Sequence, residues 1–209
     1  MTYLDELVSR YPALAAVRGQ VDAAFHALVD CYAAGGKLLV CGNGGSAADA
    51  DHIVGELMKG YMSPRRLAAG AREALIAAEP ELGPVLAEKL QGALPAINIS
   101  AISAFATAFG NDVSGELTFA QATSGYGRPG DVLVGISTSG NALNVRAAMG
   151  VARAIGMRTI GLTGKGGGRL SGRCDILIAV PATRTFEVQE LHLPVYHCLC
   201  AMVEAHFFP

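Results

Sequence analysis

Residues 37–57 read KLLVCGNGGSAADADHIVGEL. The first five, Lys37 to Cys41, form a short continuous apolar run, the pattern of a parallel strand buried on both faces. A glycine loop follows, Gly42-Asn43-Gly44-Gly45-Ser46, and then a stretch with helical character. The same grammar recurs downstream. Ala96 to Ile99 leads into a helical run near Phe105, Asp131 to Ile136 into Ala142 to Ile155, Arg158 to Thr163 into Arg169 to Gly172, and Asp175 to Val180 into Glu187 to His206. Five buried strands alternating with helices predict a doubly wound α/β fold, a five-stranded parallel sheet flanked by helices.

Upstream, Thr2 with Asp5 resembles a helix start. After Pro12 the apolar positions Leu14, Val17, Val21, Phe25, Leu28 and Val29 repeat at helical spacing up to Gly35-Gly36, so residues 1–36 are expected as a helical arm. Residues 62–95 interrupt the strand-helix rhythm with Pro64, Pro80, Pro84 and Pro95 around a charged helical piece near Val85 to Leu90. They are expected as an insertion into one domain, not as a second domain.

The 209 residues, 51% apolar and 16% charged, fit a single domain spanning 1–209. A mean hydropathy of +0.36 suggests more apolar surface than a monomer needs, and we read the surplus as subunit contacts. A net charge of -2 supplies no positive field for a nucleic-acid backbone or an anionic membrane surface. No stretch reaches the ~18 to 20 consecutive apolar residues of a membrane span, and the opening MTYLDELVSR lacks a basic start followed by an apolar run, so the cytoplasm is the expected compartment. Cys31, Cys41, Cys174, Cys198 and Cys200, an odd number without metal-site spacing, are expected as reduced, packed thiols.

In open α/β sheets, ligands bind beyond the carboxyl ends of the strands. Two loops there are rich in donors: Asn43, Gly44 and Ser46 after the first strand, and Ser137-Thr138-Ser139-Gly140-Asn141 after the third. Glycines let backbone N–H groups approach a phosphate, hydroxyls add donors, and the helix that follows favours negative charge. The same residues also serve as plain turn and helix-capping residues. Gly42, Gly44 and Ala47 satisfy a loose dinucleotide fingerprint, but the acidic strand end it requires ~20 residues later is replaced by MKGYMSPRR. Gly164 to Gly168, GKGGG, fails as a P-loop because no Ser or Thr follows Lys165.

His52 and Glu56, four apart, share one helix face, an arrangement suited to metal binding or acid/base work. In the last helix Gln189, Glu190, His192 and His197 punctuate an apolar run. Gln189 and His197 are ~80° apart around an ideal helix, spacing alone favours Glu190 with His197 slightly more, and Pro194 is expected to kink the helix. Such residues also occur on polar faces that meet water or another subunit. His26 and His206 have no motif around them and are read as structural.

Taken in order, CGNGGSAADADHIVGEL, GNDV, GISTSGNALN, LTGKGGG and VQELHLPVYH resemble the phosphoheptose isomerases of the sugar isomerase (SIS) domain superfamily. The resemblance covers nearly the whole chain except residues 62–95. It implies a flavodoxin-like SIS domain and a cytoplasmic homotetramer with active sites between subunits. It also implies the conversion of sedoheptulose 7-phosphate to glycero-manno-heptose 7-phosphate. By motif it implies zinc ligands at His52, Glu56, Gln189 and His197, with Glu56 and His197 also the acid/base pair. Phosphate would be held by Ser46, Ser137 and Ser139, while Asn43, Gly44, Asp112, Thr138 and Gln189 would contact substrate. Moving a carbonyl between C1 and C2 needs a base for the adjacent C–H and a shuttle between oxygens, tasks that suit a carboxylate and an imidazole, and a Zn²⁺ would polarise the carbonyl.

Two departures stand out. Where that family reads SGNS this chain has Ser139-Gly140-Asn141-Ala142, one hydroxyl fewer, and residues 62–95 are an insertion that the resembled enzymes largely lack and that could line or cover the site and alter which sugar fits. The alternatives are an isomerase for another phosphosugar and a non-catalytic SIS protein that senses a phosphosugar or binds a partner. The presence of both Glu56 and His197 weighs against the latter.

Overall fold

A computed structural model describes residues 1–209. In chain order the elements are α1 (Tyr3–Arg10), a 3₁₀ turn (Pro12–Val17), α2 (Arg18–Ala33), β1 (Leu38–Gly42), α3 (Gly45–Met58), α4 (Ala69–Ala78), α5 (Gly83–Lys89), β2 (Ala96–Asn98), α6 (Ser103–Phe109), α7 (Thr118–Tyr126), β3 (Val132–Ser137), α8 (Leu143–Ala154), β4 (Arg158–Thr163), β5 (Ile176–Ala179) and α9 (Thr185–Phe207). All five strands are parallel in the order β2-β1-β3-β4-β5. This is the doubly wound, flavodoxin-like order, and its direction reverses between β1 and β3. The loops leaving those two strands are the two donor loops of the sequence.

Alternation along β1 divides the core. Leu38 and Val40 face a layer built from α1, α2, α3 and α9, whereas Leu39 and Cys41 face α7 and α8. The helical arm is therefore part of the fold. Thr2 and Asp5 close a reciprocal capping box, and Leu4, Leu7, Leu14, Val17, Val21, Ala24 and Leu28 all enter the larger core cluster. The five cysteines are unpaired, as expected, and only Cys174 is partly exposed.

Two local expectations are corrected. Arg169 to Gly172 form no helix, and the segment makes a single 3₁₀ turn at Gly168–Leu170, because Gly166, Gly167, Gly168 and Gly172 all take positive φ. Residues 62–95 hold two helices instead of one. The sequence of α4, AGAREALIAA, is rich in helix formers but buries no residue, so periodicity gave no signal for it. Pro194 lies inside α9, which continues through it. The one hydrogen bond it removes would have gone to Glu190, an exposed residue.

Candidate active site

The two donor loops are tied into one structure at the point where the sheet order reverses. Asn43 and Asn144 exchange side-chain amide hydrogen bonds of 3.0 and 2.8 Å, joining the first loop to the start of α8. Gly44 precedes α3 with φ 55°, and Ala142 precedes α8, and neither helix has a side-chain cap. Gly44 holds the N-cap position of α3, and the hydroxyls of Ser137 and Ser139 face the N–H groups of Ala142 and Asn141, so these residues also serve as plain turn and capping residues. In the first turns the N–H groups of Ser46 and Ala47 reach the carbonyls of Asn43 and Gly44, and that of Val145 reaches Asn144 Oδ1, so an anion there would be held by the leading amides and the serine hydroxyls. Ser46 and Ser137 are nearly buried, while Ser139 is exposed and accepts from the N–H of Asn141.

The GKGGG segment is the buttress of the second loop. The N–H of Gly164 donates to the Thr138 carbonyl at 2.9 Å, that of Leu170 to the Gly140 carbonyl at 3.1 Å, and that of Arg169 to Asn141 Oδ1 at 3.0 Å. Gly140, at φ 66°, lies so close to the carbonyl of Gly167 that no Cβ fits. Lys165 itself is exposed.

Along α3 and α9 the polar residues separate into two groups. His52 Nε2 lies 3.2 Å from Glu56 Oε1 and 3.4 Å from His197 Nε2. Gln189 lies against Gly45 at the start of α3. Eight residues of helix put Gln189 about 12 Å along the axis from His197, so within this chain Gln189 sits at the donor loop and not with the other three. Glu190 is exposed beside Lys165 and Thr183 and does not meet His197. His192 is fully buried with neither ring nitrogen bonded, and burial pushes its pKa down to about 4, leaving a neutral core residue. Asp112 is exposed on a short π turn, where it accepts from the side chain of Asn111. His26 and His206 lie on the surface.

Neighbours that the sequence did not single out complete the cluster. The Tyr196 hydroxyl lies 3.2 Å from Asp49 Oδ1, to which it donates, and 3.1 Å from His52 Nδ1. A hydroxyl has one proton, so with that proton on Asp49 the tyrosine oxygen accepts from Nδ1–H and leaves His52 Nε2 bare. Lys59 Nζ sits 3.2 Å from Glu56 Oε2, and the Tyr61 ring lies 5.9 Å from that of His197. Burial and the neighbouring His52 lower the pKa of His197, while Glu56 opposes them. A cavity of ≈ 150 Å³ opens beside His197, walled by Arg10, Tyr11, Tyr61 and Leu193 among others. Helical spacing ties Asp49 to His52, and Tyr196 adjoins His197 in sequence, the signals by which the two could have been found.

Ligands around a tetrahedral zinc at ~2.0–2.1 Å stand roughly 3.3 Å apart. The His52–Glu56 and His52–His197 separations match that spacing, and two imidazoles with a carboxylate are a suitable donor set. The fit is pairwise through His52, because no three His, Cys, Asp or Glu side chains form a finished cage.

Residues 2–82 and 93–164 match the model of the SIS domain family. The stretch left out, 83–92, holds α5 and falls inside residues 62–95. Over 202 residues the chain is 36% identical to the phosphoheptose isomerase of Akkermansia muciniphila, covering 97% of this chain and 93% of that one. It is 39% identical over 193 residues to that of Rhodospirillum rubrum, covering 92% and 85%. The structure of phosphoheptose isomerase GmhA from Neisseria gonorrhoeae is similar at a TM-score of 0.76 and 31% identity, covering 96% of this chain and 94% of that chain.

Proposed function

From the premise that the chain belongs to the SIS domain family, with the phosphoheptose isomerases, we propose that it is an aldose-ketose isomerase of a phosphorylated sugar, with sedoheptulose 7-phosphate as substrate. The observation that carries this reading is the meeting of His52 and Glu56 on α3 with His197 on α9, along the helix from the first donor loop, at which α3 begins. From Gly45 to His52 the helix rises about 10 Å, roughly the length of an extended seven-carbon chain with its phosphate. A phosphate at the donor loops, where Asn43 and Gln189 also lie, thus puts the carbonyl end beside the imidazoles.

In this reading Glu56 takes the proton from the carbon beside the carbonyl and returns it to the neighbouring carbon, and His197 moves the proton between the two oxygens. Lys59 keeps one oxygen of Glu56 paired and the other faces His52, which orients the carboxylate toward the imidazoles. The low pKa of His197 keeps the ring neutral near pH 7, so that it both accepts and donates. Zinc would be held by His52, His197 and Glu56 and would supply Lewis-acid polarisation of the carbonyl, while Gln189, at the donor loop of the same chain, lies too far along α9 to join them.

We further propose a cytoplasmic homotetramer. No helix is long and apolar enough to cross a membrane, and exposed Met58, Met62, Phe186 and Leu193 offer apolar surface around the site for a second copy. Light scattering coupled to gel filtration reads the assembly directly.

The functional test is an NMR assay in D₂O with zinc-loaded protein and sedoheptulose 7-phosphate, comparing wild type with Glu56→Gln. Deuterium entry beside the carbonyl and aldose formation are expected for wild type, with loss of both and retained sugar-phosphate binding for the variant. Full turnover by Glu56→Gln removes Glu56 from the mechanism. A folded, metal-loaded wild type that neither exchanges nor isomerises, and that co-purifies with a stoichiometric protein, returns the non-catalytic alternative.

A further inference from the structure

Arg65 is the one residue other than glycine with a left-handed backbone, φ 41°, and its side chain is fully buried. That conformation is disfavoured for a residue with a Cβ, so the surroundings must hold it. Every arm of its guanidinium is engaged. Nε donates to Glu204 Oε1 at 2.6 Å, Nη1 to the Leu57 carbonyl at 2.6 Å, and Nη2 to the Glu56 carbonyl at 2.8 Å, while the Phe208 ring lies 5.0 Å away. Glu204, on α9, also accepts from the backbone N–H groups of Tyr61 at 2.7 Å and Met62 at 2.6 Å.

Carbonyls in the last turn of a helix lack partners within it. On α3 the Leu57 carbonyl also accepts from the N–H of Leu94 at 3.0 Å, and the Glu56 carbonyl takes its partner from a planar fork that reaches both successive carbonyls at once, a geometry that the single ammonium of lysine does not reproduce. The fork is in turn anchored to the helix that carries His197. A buried ion pair is weak ground for stability, because apolar replacements of similar volume are often neutral. What this pair adds is direction.

We propose that Arg65 and Glu204 are positioning residues for the isomerisation. Arg65 holds the backbone of Glu56, and Glu204 holds the backbone of Tyr61, so that the base on α3 and the ring beside His197 are registered against α9. The proposal rests on the reading of Glu56 as the base.

The test compares wild type, Arg65→Lys and Glu56→Gln as full-length, zinc-loaded protein with sedoheptulose 7-phosphate, taking kcat and KM separately and following backbone hydrogen exchange over residues 56–62. Lysine keeps a charge against Glu204 but releases the Glu56 carbonyl. Arg65→Lys is expected to lose about 10- to 100-fold in kcat, the scale of a small misplacement of a reacting group, with KM within about threefold and faster exchange over 56–62. Wild-type kcat and exchange in Arg65→Lys, beside an inactive Glu56→Gln, overturn the positioning role alone. Full activity in Glu56→Gln overturns the base reading and the proposal with it. If Arg65→Lys fails to fold, Arg65→Met combined with Glu204→Leu keeps the packing without the fork, and wild-type kcat in that double variant equally overturns the proposal.

Discussion

Asn43 and Asn144, 101 positions apart in sequence, bond to each other in both directions at 3.0 and 2.8 Å. Asn144 Oδ1 also accepts from the N–H of Val145, so its orientation is set by three bonds. This pairing joins the loop after β1 to the helix after β3 at the switch point of the sheet. Asn144→Ala is expected to release Asn43 and raise KM for a phosphosugar about tenfold, the worth of one to two hydrogen bonds, with a smaller change in kcat. Steady-state kinetics check this, and an unchanged KM would show that the donor loops hold their shape without the pair.

Ala142 stands at the N-cap of α8 without a side-chain bond, where alanine is among the poorest choices. Ala142→Ser supplies the missing hydroxyl. If the hydroxyl serves the anion, as the proposed phosphate cradle requires, KM falls several-fold while Tm changes little. A higher Tm at constant KM, from the about 0.5–2 kcal/mol that a cap contributes, would mean that the hydroxyl caps α8 and does not reach the substrate.

The five strands and both donor loops were legible in the sequence because a parallel strand buried on both faces is a continuous apolar run, and glycine loops punctuate it. His52 with Glu56 was legible because the pair lies on one helix turn. Contacts between helices were not. The angle of ~80° between Gln189 and His197 ignored the rise that separates them along the axis, and the partner of His197 proved to be His52 on another helix. Tyr196 and Asn144 escaped notice for a related reason. Each acts on a residue more than 100 positions away, and spacing within one element carries no trace of such a pairing.

Tyr196 orients His52 through its hydroxyl and is itself held by Asp49, whose carboxyl burial raises in pKa. Removing the hydroxyl frees the His52 ring to rotate and to exchange tautomers. Tyr196→Phe is expected to weaken zinc binding about 10- to 100-fold, the usual cost of losing an outer-shell partner of a metal-bound histidine. Competition with a chelating dye measures it on the protein and metal alone. Unaltered affinity would place the ion away from His52.

The Glu204 carboxyl gives the fold an acid-sensitive joint. Burial alone would raise its pKa, but the N–H groups of Tyr61 and Met62 and the Arg65 guanidinium outweigh burial and hold it below the usual glutamate range. A carboxylate whose folded pKa is depressed contributes stability above its unfolded value of about 4.3, and that contribution is lost as pH falls through the folded value. Thermal melts from about pH 7 down to about pH 3 should therefore show a steep decline in Tm below the unfolded value, to which Glu204 contributes. Glu204→Gln lacks the titrating group and is expected to decline less steeply over that window. At pH 7 it should already be less stable by about 3–5 kcal/mol, because Arg65 is left buried without its counter-charge. If wild type and Glu204→Gln run parallel through the acid limb, the pH dependence arises from other carboxylates and the Glu204 account is wrong.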